Sequence, residues 1–171
     1  LEAYDNKDYT SAYREWMPLA VKGDADAQRN IGMLTAAGFG VEQDNAEALK
    51  WFRLSAEQGD GGAQANLGMM YQYGHGVPQD NKTAVKWYRK VAEQGGFWGH
   101  EALGSMYEYG KGVLKDNSLA HMWYNISSAN GHEDAGEWRD KVADSMTPEA
   151  IEKATAMARE CMASDYKKCG Y

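Results

Sequence analysis

Cations are few in this sequence. Lys and Arg total 18 against 25 Asp and Glu, a formal net charge of −7. The basic residues are scattered, with no run or stripe, so phosphate neutralisation has no footprint and nucleic-acid binding is not expected. An anionic membrane surface is disfavoured for the same reason. No stretch of about 18 apolar residues exists, so no membrane span is expected. Proline is almost missing, with only Pro18, Pro78 and Pro148. That suits helices, because proline removes a backbone donor and clashes inside them. Cysteine is confined to Cys161 and Cys169. Two close cysteines without partners at zinc-site spacing point to a disulfide and an oxidising compartment. One buried thiol and one incidental thiol is the alternative, and zinc would need four ligands where two are in view. The chain opens Leu1-Glu2-Ala3 without an initiator methionine, which fits a removed leader and a trimmed start equally.

Signals of catalysis and of cofactors are also absent. The histidines are His75, His100, His121 and His132. They form no H-E-x-x-H and no i, i+4 pair, so no metal is expected. The Gly-x-Gly turns lack the later glycine of a dinucleotide fingerprint and follow no strand, so no cofactor is expected. Serines fall singly and the cysteines lie in a tail, so no nucleophile with its base is expected.

What the sequence does contain is a repeat. Gly23, Gly59, Gly95 and Gly131 recur every 36 residues, as do Trp51, Trp87 and Trp123, and Asp44, Asp80 and Asp116. Residues 24–59 and 60–95 agree at 20 of 36 positions; 60–95 and 96–131 agree at 14, so the third copy has drifted. Apolar residues make up 43% of the chain, enough to exclude disorder.

Each copy reads as two helices. The first carries Ala27, Ile31, Gly32 and Thr35, then Ala63, Leu67, Gly68 and Tyr71, a single helical face. A glycine inside a helix costs up to about 1 kcal/mol; its recurrence predicts a neighbouring helix too close for a Cβ. The second helix carries Ala48, Trp51, Phe52 and Ala56, then Ala84, Trp87, Tyr88 and Ala92. Both adjacent rings are expected to wedge into the core. Gly38, Gly74 and Gly110 sit where the first helices should stop. Asp44, Asp80 and Asp116 fit as N-caps of the second helices. One such pair cannot bury its apolar face alone, so stacked pairs with capped ends are implied.

The ends follow the same logic. Residues 1–23 match only the latter part of a unit, through Ala12, Trp16 and Ala20. Thr147-Pro148-Glu149 resembles a helix start. The last helix, about 148–163, is read as a C-terminal lid carrying Ile151, Ala154, Ala158, Cys161 and Met162 on one side. Met122 and Ile126 replace Lys86 and Lys90 of the preceding copy, which suits packing against that lid.

Ala63…Leu67-Gly68…Tyr71…Gly74-His75-Gly76-Val77…Asp80…Ala84…Trp87-Tyr88 resembles the Sel1-like repeat. The related tetratricopeptide repeat has a shorter period, 34 residues. The resemblance implies an all-α, α/α superhelical solenoid of antiparallel helix pairs with a C-terminal capping helix. The domain expected is single, 1–171: an N-terminal half-repeat (1–23), repeats at 24–59, 60–95 and 96–131, and a partial repeat with cap (132–171). Thr35 for the usual tyrosine and Gly99 for the usual alanine depart from the pattern and put local packing in doubt.

The family implies a non-catalytic scaffold or adaptor, common in bacteria and often exported, so a periplasmic or secreted location is expected. The partner is a protein or peptide of unknown identity. By analogy with tetratricopeptide repeats, the first helices line a concave binding face. The residues placed there are Arg29, Met33, Asn66, Met69, Gln72, Tyr73, Trp98, Glu101, Glu108 and Tyr109. Met69, Tyr73 and Tyr109 could instead complete the inter-repeat core, and Asn66 could bond within its own repeat. Arg29, Gln72, Glu101 and Glu108 read as surface residues. The alternatives are a peptidoglycan or carbohydrate binder, since Trp98, Trp138, Tyr166 and Tyr171 escape the period, and a regulator of an envelope enzyme. Exposed rings at Trp98 and Tyr109 would keep both binding ideas; buried ones would remove the sugar idea.

Overall fold

Each turn glycine of the repeat ends a helix by adopting a left-handed backbone that other residues avoid. Gly38, Gly74 and Gly110 have φ of 71°, 73° and 66°. The following residue closes the turn, with the N–H of Phe39, His75 and Lys111 donating to Leu34, Met70 and Met106 carbonyls. Asp44 and Asp116 then cap the second helices, each accepting two backbone N–H bonds.

These details come from a computed structural model that describes residues 7–170. Residues 1–6 of the expected half-repeat, and Tyr171, lie outside the described residues. Among the described residues there are nine helices in consecutive antiparallel pairs: α1 (Tyr9–Val21), α2 (Ala25–Ala37), α3 (Asn45–Glu57), α4 (Gly61–Tyr73), α5 (Asn81–Glu93), α6 (Phe97–Tyr109), α7 (Asn117–Ala129), α8 (Ala135–Ala143) and α9 (Pro148–Ala163). Two compact units divide between Asp80 and Asn81. In the first, α2 packs on α1 and α3, and α4 on α3. In the second, α6 packs on α5 and α7, and α8 and α9 both pack on α7.

At the repeated helical glycine a neighbouring helix does come too close for a Cβ, and it does so through a side chain. A Cβ on Gly32 would lie 2.8 Å from the Phe52 ring, and one on Gly104 would lie 2.5 Å from the Tyr124 ring. The missing side chain therefore makes room for a ring of the second helix, not for a helix backbone. Phe52, Tyr88 and Tyr124 are all buried. The tryptophans beside them correct the two-ring wedge: Trp51 and Trp87 are only half-buried, and Trp123 alone is fully enclosed. Trp123 sits on α7, which α6, α8 and α9 all cover.

Gly99 has its own reason. A Cβ there would collide with the Ala92 nitrogen and the Tyr88 carbonyl at 2.5 and 2.8 Å, so α6 approaches α5 closely. At the same register Ala27 and Ala63 are buried without such a constraint. The departure from alanine thus marks a tighter junction in the drifted copy.

A polar stitch recurs at the repeat pitch. Gln28 Nε2 donates to the Ala20 carbonyl (3.1 Å), Gln64 Nε2 to Ala56 (3.2 Å), and His100 Nε2 contacts Ala92 (3.1 Å). Each adds a side-chain bond to a last-turn carbonyl that already accepts from the turn N–H of Gly23, Gly59 or Gly95, using the second lone pair. Arg53 to the Tyr71 hydroxyl (2.9 Å) and Arg89 to the Tyr107 hydroxyl (3.0 Å) form a second series.

The lid is as expected. Thr147 caps α9, Ala154, Ala158 and Cys161 are buried on it, and Met122 and Ile126 are buried on the α7 it covers. Cys161 and Cys169 form a disulfide.

Candidate functional site

In the first unit, the α2 and α4 stripes Ala27-Ile31-Leu34 and Ala63-Leu67-Met70 are buried. That leaves other positions of the same helices turned outward. Met33 is 40% exposed, Met69 44% and Tyr73 60%. Met69 and Tyr73 thus lie outside the buried stripe of α4. Tyr73 stacks on His75 with centroids 5.9 Å apart.

The polar candidates of this unit are more engaged than surface residues. Arg29 is half-buried; it pairs with Asp26 (3.0 Å) and Asp60, and its chain lies where a Cβ on Gly62 would be. It therefore holds α2 to the start of α4. Asn66 donates to the Gly62 carbonyl at 2.9 Å, so its amide serves its own helix. Gln72 is half-buried, and its backbone carbonyl accepts from Gln79.

In the second unit, Trp98 and Tyr109 of α6 are 58% and 59% exposed. Trp98 leans on Phe97 (4.8 Å) and meets His132 edge-on (6.0 Å). Glu101, Ser105, Glu108 and Tyr109 form one wall of an open cleft of about 250 Å³. Tyr124 of α7 and Trp138 and Lys141 of α8 complete it. The Trp138 ring lies 5.7 Å from Tyr124 and 5.0 Å from His132.

The carboxylates of the cleft are not free surface charges either. Glu108 accepts from the Tyr124 hydroxyl at 2.8 Å. Burial first, then that bond, pushes the Tyr124 phenol well above its ordinary range. The Tyr109 phenol is also pushed up, chiefly by hydrogen bonding to Glu108. Glu101 Oε2 lies 3.2 Å from His132 Nε2, close enough for ion pairing but outside hydrogen-bond geometry, and the oxygen is shut off from solvent. Burial raises the Glu101 pKa, and His132 opposes it.

Glu101, Glu108 and Tyr109 are therefore brought together in one cleft with Tyr124, Trp138 and Lys141, which were not among the residues expected there. Trp138 carried a signal, as one of the rings outside the period. Tyr124 was masked by its repeat role as the ring opposite Gly104, and Lys141 had no mark. Among the described residues no group of three His, Cys, Asp or Glu is placed to hold a metal, and no helix is long and apolar enough to cross a membrane.

Comparison with protein families matches the Sel1 repeat at residues 25–60, 62–96 and 99–132. Comparison with curated proteins gives no match. One similar solved structure is c5321, described as a protective antigen present in uropathogenic Escherichia coli strains displaying an SLR fold. It is 31% identical with a TM-score of 0.83, over 90% of this chain and 34% of that one. The chain thus spans about a third of that protein's length. A Sel1 repeat protein from Oxalobacter formigenes is 38% identical with a TM-score of 0.68, over 75% of this chain and 96% of that one.

Proposed function

The chain belongs to the Sel1 repeat family, with the SLR solenoid fold, and from that premise we propose that it is a non-catalytic protein-interaction scaffold. The partner is a protein or peptide that docks on the outward positions of the first helices. The observation that carries this is the exposure of Met33, Met69, Tyr73, Trp98 and Tyr109 beside fully buried stripes on the same helices. Tyrosine and tryptophan are enriched among the residues that carry binding energy at interfaces, and exposed methionines adapt to a partner's surface. We read the chain as one domain over 1–171, acting outside the cytoplasm in the periplasm or secreted space. The Cys161–Cys169 bridge supports that location, because disulfides persist in oxidising compartments. So does the likeness to an antigen.

A second reading, a peptidoglycan or carbohydrate binder, rests on Trp98, whose exposed indole offers a face on which a sugar ring can stack. Tyr73→Ala and Trp98→Ala, made separately, test the first reading. Each is expected to weaken capture of the native partner roughly tenfold or more, with helicity and melting unchanged. Unaltered capture in both variants would reject this choice of residues. Binding to glycan strands that only Trp98→Ala abolishes would favour the second reading.

A further inference from the structure

We propose that the cleft between α6, α7 and α8 receives the side chain of an arginine from the protein partner, its guanidinium lying among the Tyr109, Tyr124 and Trp138 rings and facing Glu101 and Glu108. This deepens the scaffold reading and rests on it.

Register supplies the first support. Tyr109 and Tyr124 of the cleft recur at the 36-residue period, as Tyr73 and Tyr88 one repeat earlier, but the carboxylates do not. Glu101 stands where the earlier copies have Arg29 and Ala65, Ser105 where they have Met33 and Met69, and Glu108 where they have Ala36 and Gln72. Two carboxylates have been placed two helical turns apart on α6, in the copy that a new ring, Trp138, faces. Helix formation and stacking demand neither.

Size is the second. An open cleft of about 250 Å³ has room for one long side chain. Charge is the third. Glu101 Oε2 is closed to solvent and held at 3.2 Å from His132 Nε2, while the side chain as a whole keeps 28% exposure, so the other carboxylate oxygen is the one left for the cleft. The neighbours of Glu101 are His132, which pairs with it, and Asp134, which repels it. Among the described residues Lys141 is the cation lining the cleft, and the Lys111 ammonium lies 5.6 Å from the Tyr109 ring at the cleft's edge. Glu108 already accepts from Tyr124 and interacts with the Tyr109 phenol, and a carboxylate with about four lone-pair sites keeps acceptor capacity beyond these two.

Arginine fits better than lysine. A guanidinium is planar, stacks on aromatic faces, donates to carboxylates in a fixed fork, and is more weakly hydrated than an ammonium. A wall of two phenols and an indole beside carboxylates matches that shape.

The test titrates the full chain with three blocked tripeptides, Ac-Gly-Arg-Gly-NH2 and its citrulline and lysine counterparts. It follows the Trp138 indole N–H resonance near neutral pH at low salt. The arginine peptide is expected to produce a saturable shift. Citrulline, which keeps the shape and loses the charge, should produce none, and lysine should bind at least fivefold more weakly. Glu101→Gln and Glu108→Gln should each weaken the arginine response at least fivefold. Equal responses to arginine and citrulline, or lysine matching arginine, would overturn the proposal, and both comparisons use the unaltered protein. If Tyr73→Ala loses the partner while the titration is silent, only the arginine pocket fails. If the titration responds while Tyr73→Ala and Trp98→Ala bind normally, the wider docking face fails instead.

Discussion

Trp123→Ala is expected to destabilise the protein by about 3–5 kcal/mol, whereas Trp87→Ala, at the same place one repeat earlier, should cost only about 1–2 kcal/mol. Trp123 is wholly enclosed. It stacks on His100 with centroids 5.7 Å apart and planes 13° from parallel. Removing it leaves a cavity on α7, where α6, α8 and α9 already converge. Trp87 is half-buried, with the Lys90 ammonium 5.3 Å from its ring. Alanine there gives up partial burial and a cation–π contact without leaving a closed void. Denaturant unfolding followed by far-UV circular dichroism measures both variants. Equal losses would show that the tryptophan's role follows repeat position alone, against the burial seen here.

His100→Gln should remove much of the protein's sensitivity to mild acid. His100 is fully buried, and its pKa is pushed down to about 4, chiefly by desolvation, with the Ala92 carbonyl acting against it. The network assigns the proton to Nε2, which donates to Ala92, while Nδ1 accepts from the Asn130 amide at 3.3 Å. Tyr166 of the disulfide loop packs on the same ring, and its hydroxyl bonds Asn130.

The folded state prefers the neutral imidazole. Its stabilisation is complete above the ordinary histidine range and is lost as pH falls from about 6.5 toward about 4. The span corresponds to on the order of 3 kcal/mol. His121 is depressed in the same direction, mainly by burial, so it adds to the wild-type loss and remains in the variant. Glutamine is the residue this register already uses, since Gln28 makes the same carbonyl bond and accepts from Gln58. The variant should therefore fold near neutral pH and lose less stability on acidification, by on the order of 3 kcal/mol. Urea melts near pH 7 and near pH 4 measure the difference. An unchanged acid loss would place the sensitivity elsewhere.

The helices were legible because their punctuation is local. A left-handed glycine, an aspartate cap and a Thr-Pro start act within a few residues, so Gly74, Asp116 and Thr147 could be placed from sequence. What failed depends on the neighbour. The period makes Trp51, Trp87 and Trp123 equivalent in position, but burial is decided by what covers each, and only α7 lies under both α8 and α9. The glycine at 32 and 104 announced a close approach without saying that a ring, not a backbone, fills the space. The Gln28 and Gln64 stitch was hidden because its third member is His100. At the candidate site, Met33, Met69, Tyr73, Trp98 and Tyr109 could be picked because they stand off the buried stripe. Arg29, Glu101 and Glu108 read as free charges, yet each is partly enclosed by a partner far along the chain. Trp138 and Lys141 come from α8, beyond the periodic helices, and Tyr124 was hidden by the repeat role it shares with Phe52 and Tyr88.

The docking face is tested most directly by photo-crosslinking in native cells. A photoreactive residue is installed at Tyr73, at Trp98, or at Leu114, which among the described residues is the most exposed large apolar side chain, at 90%, but lies in the turn before α7. Tyr73 and Trp98 should yield the same discrete protein adduct, and Leu114 should yield none. Adducts from Leu114 alone, or from all three alike, would contradict a partner docked on the first helices.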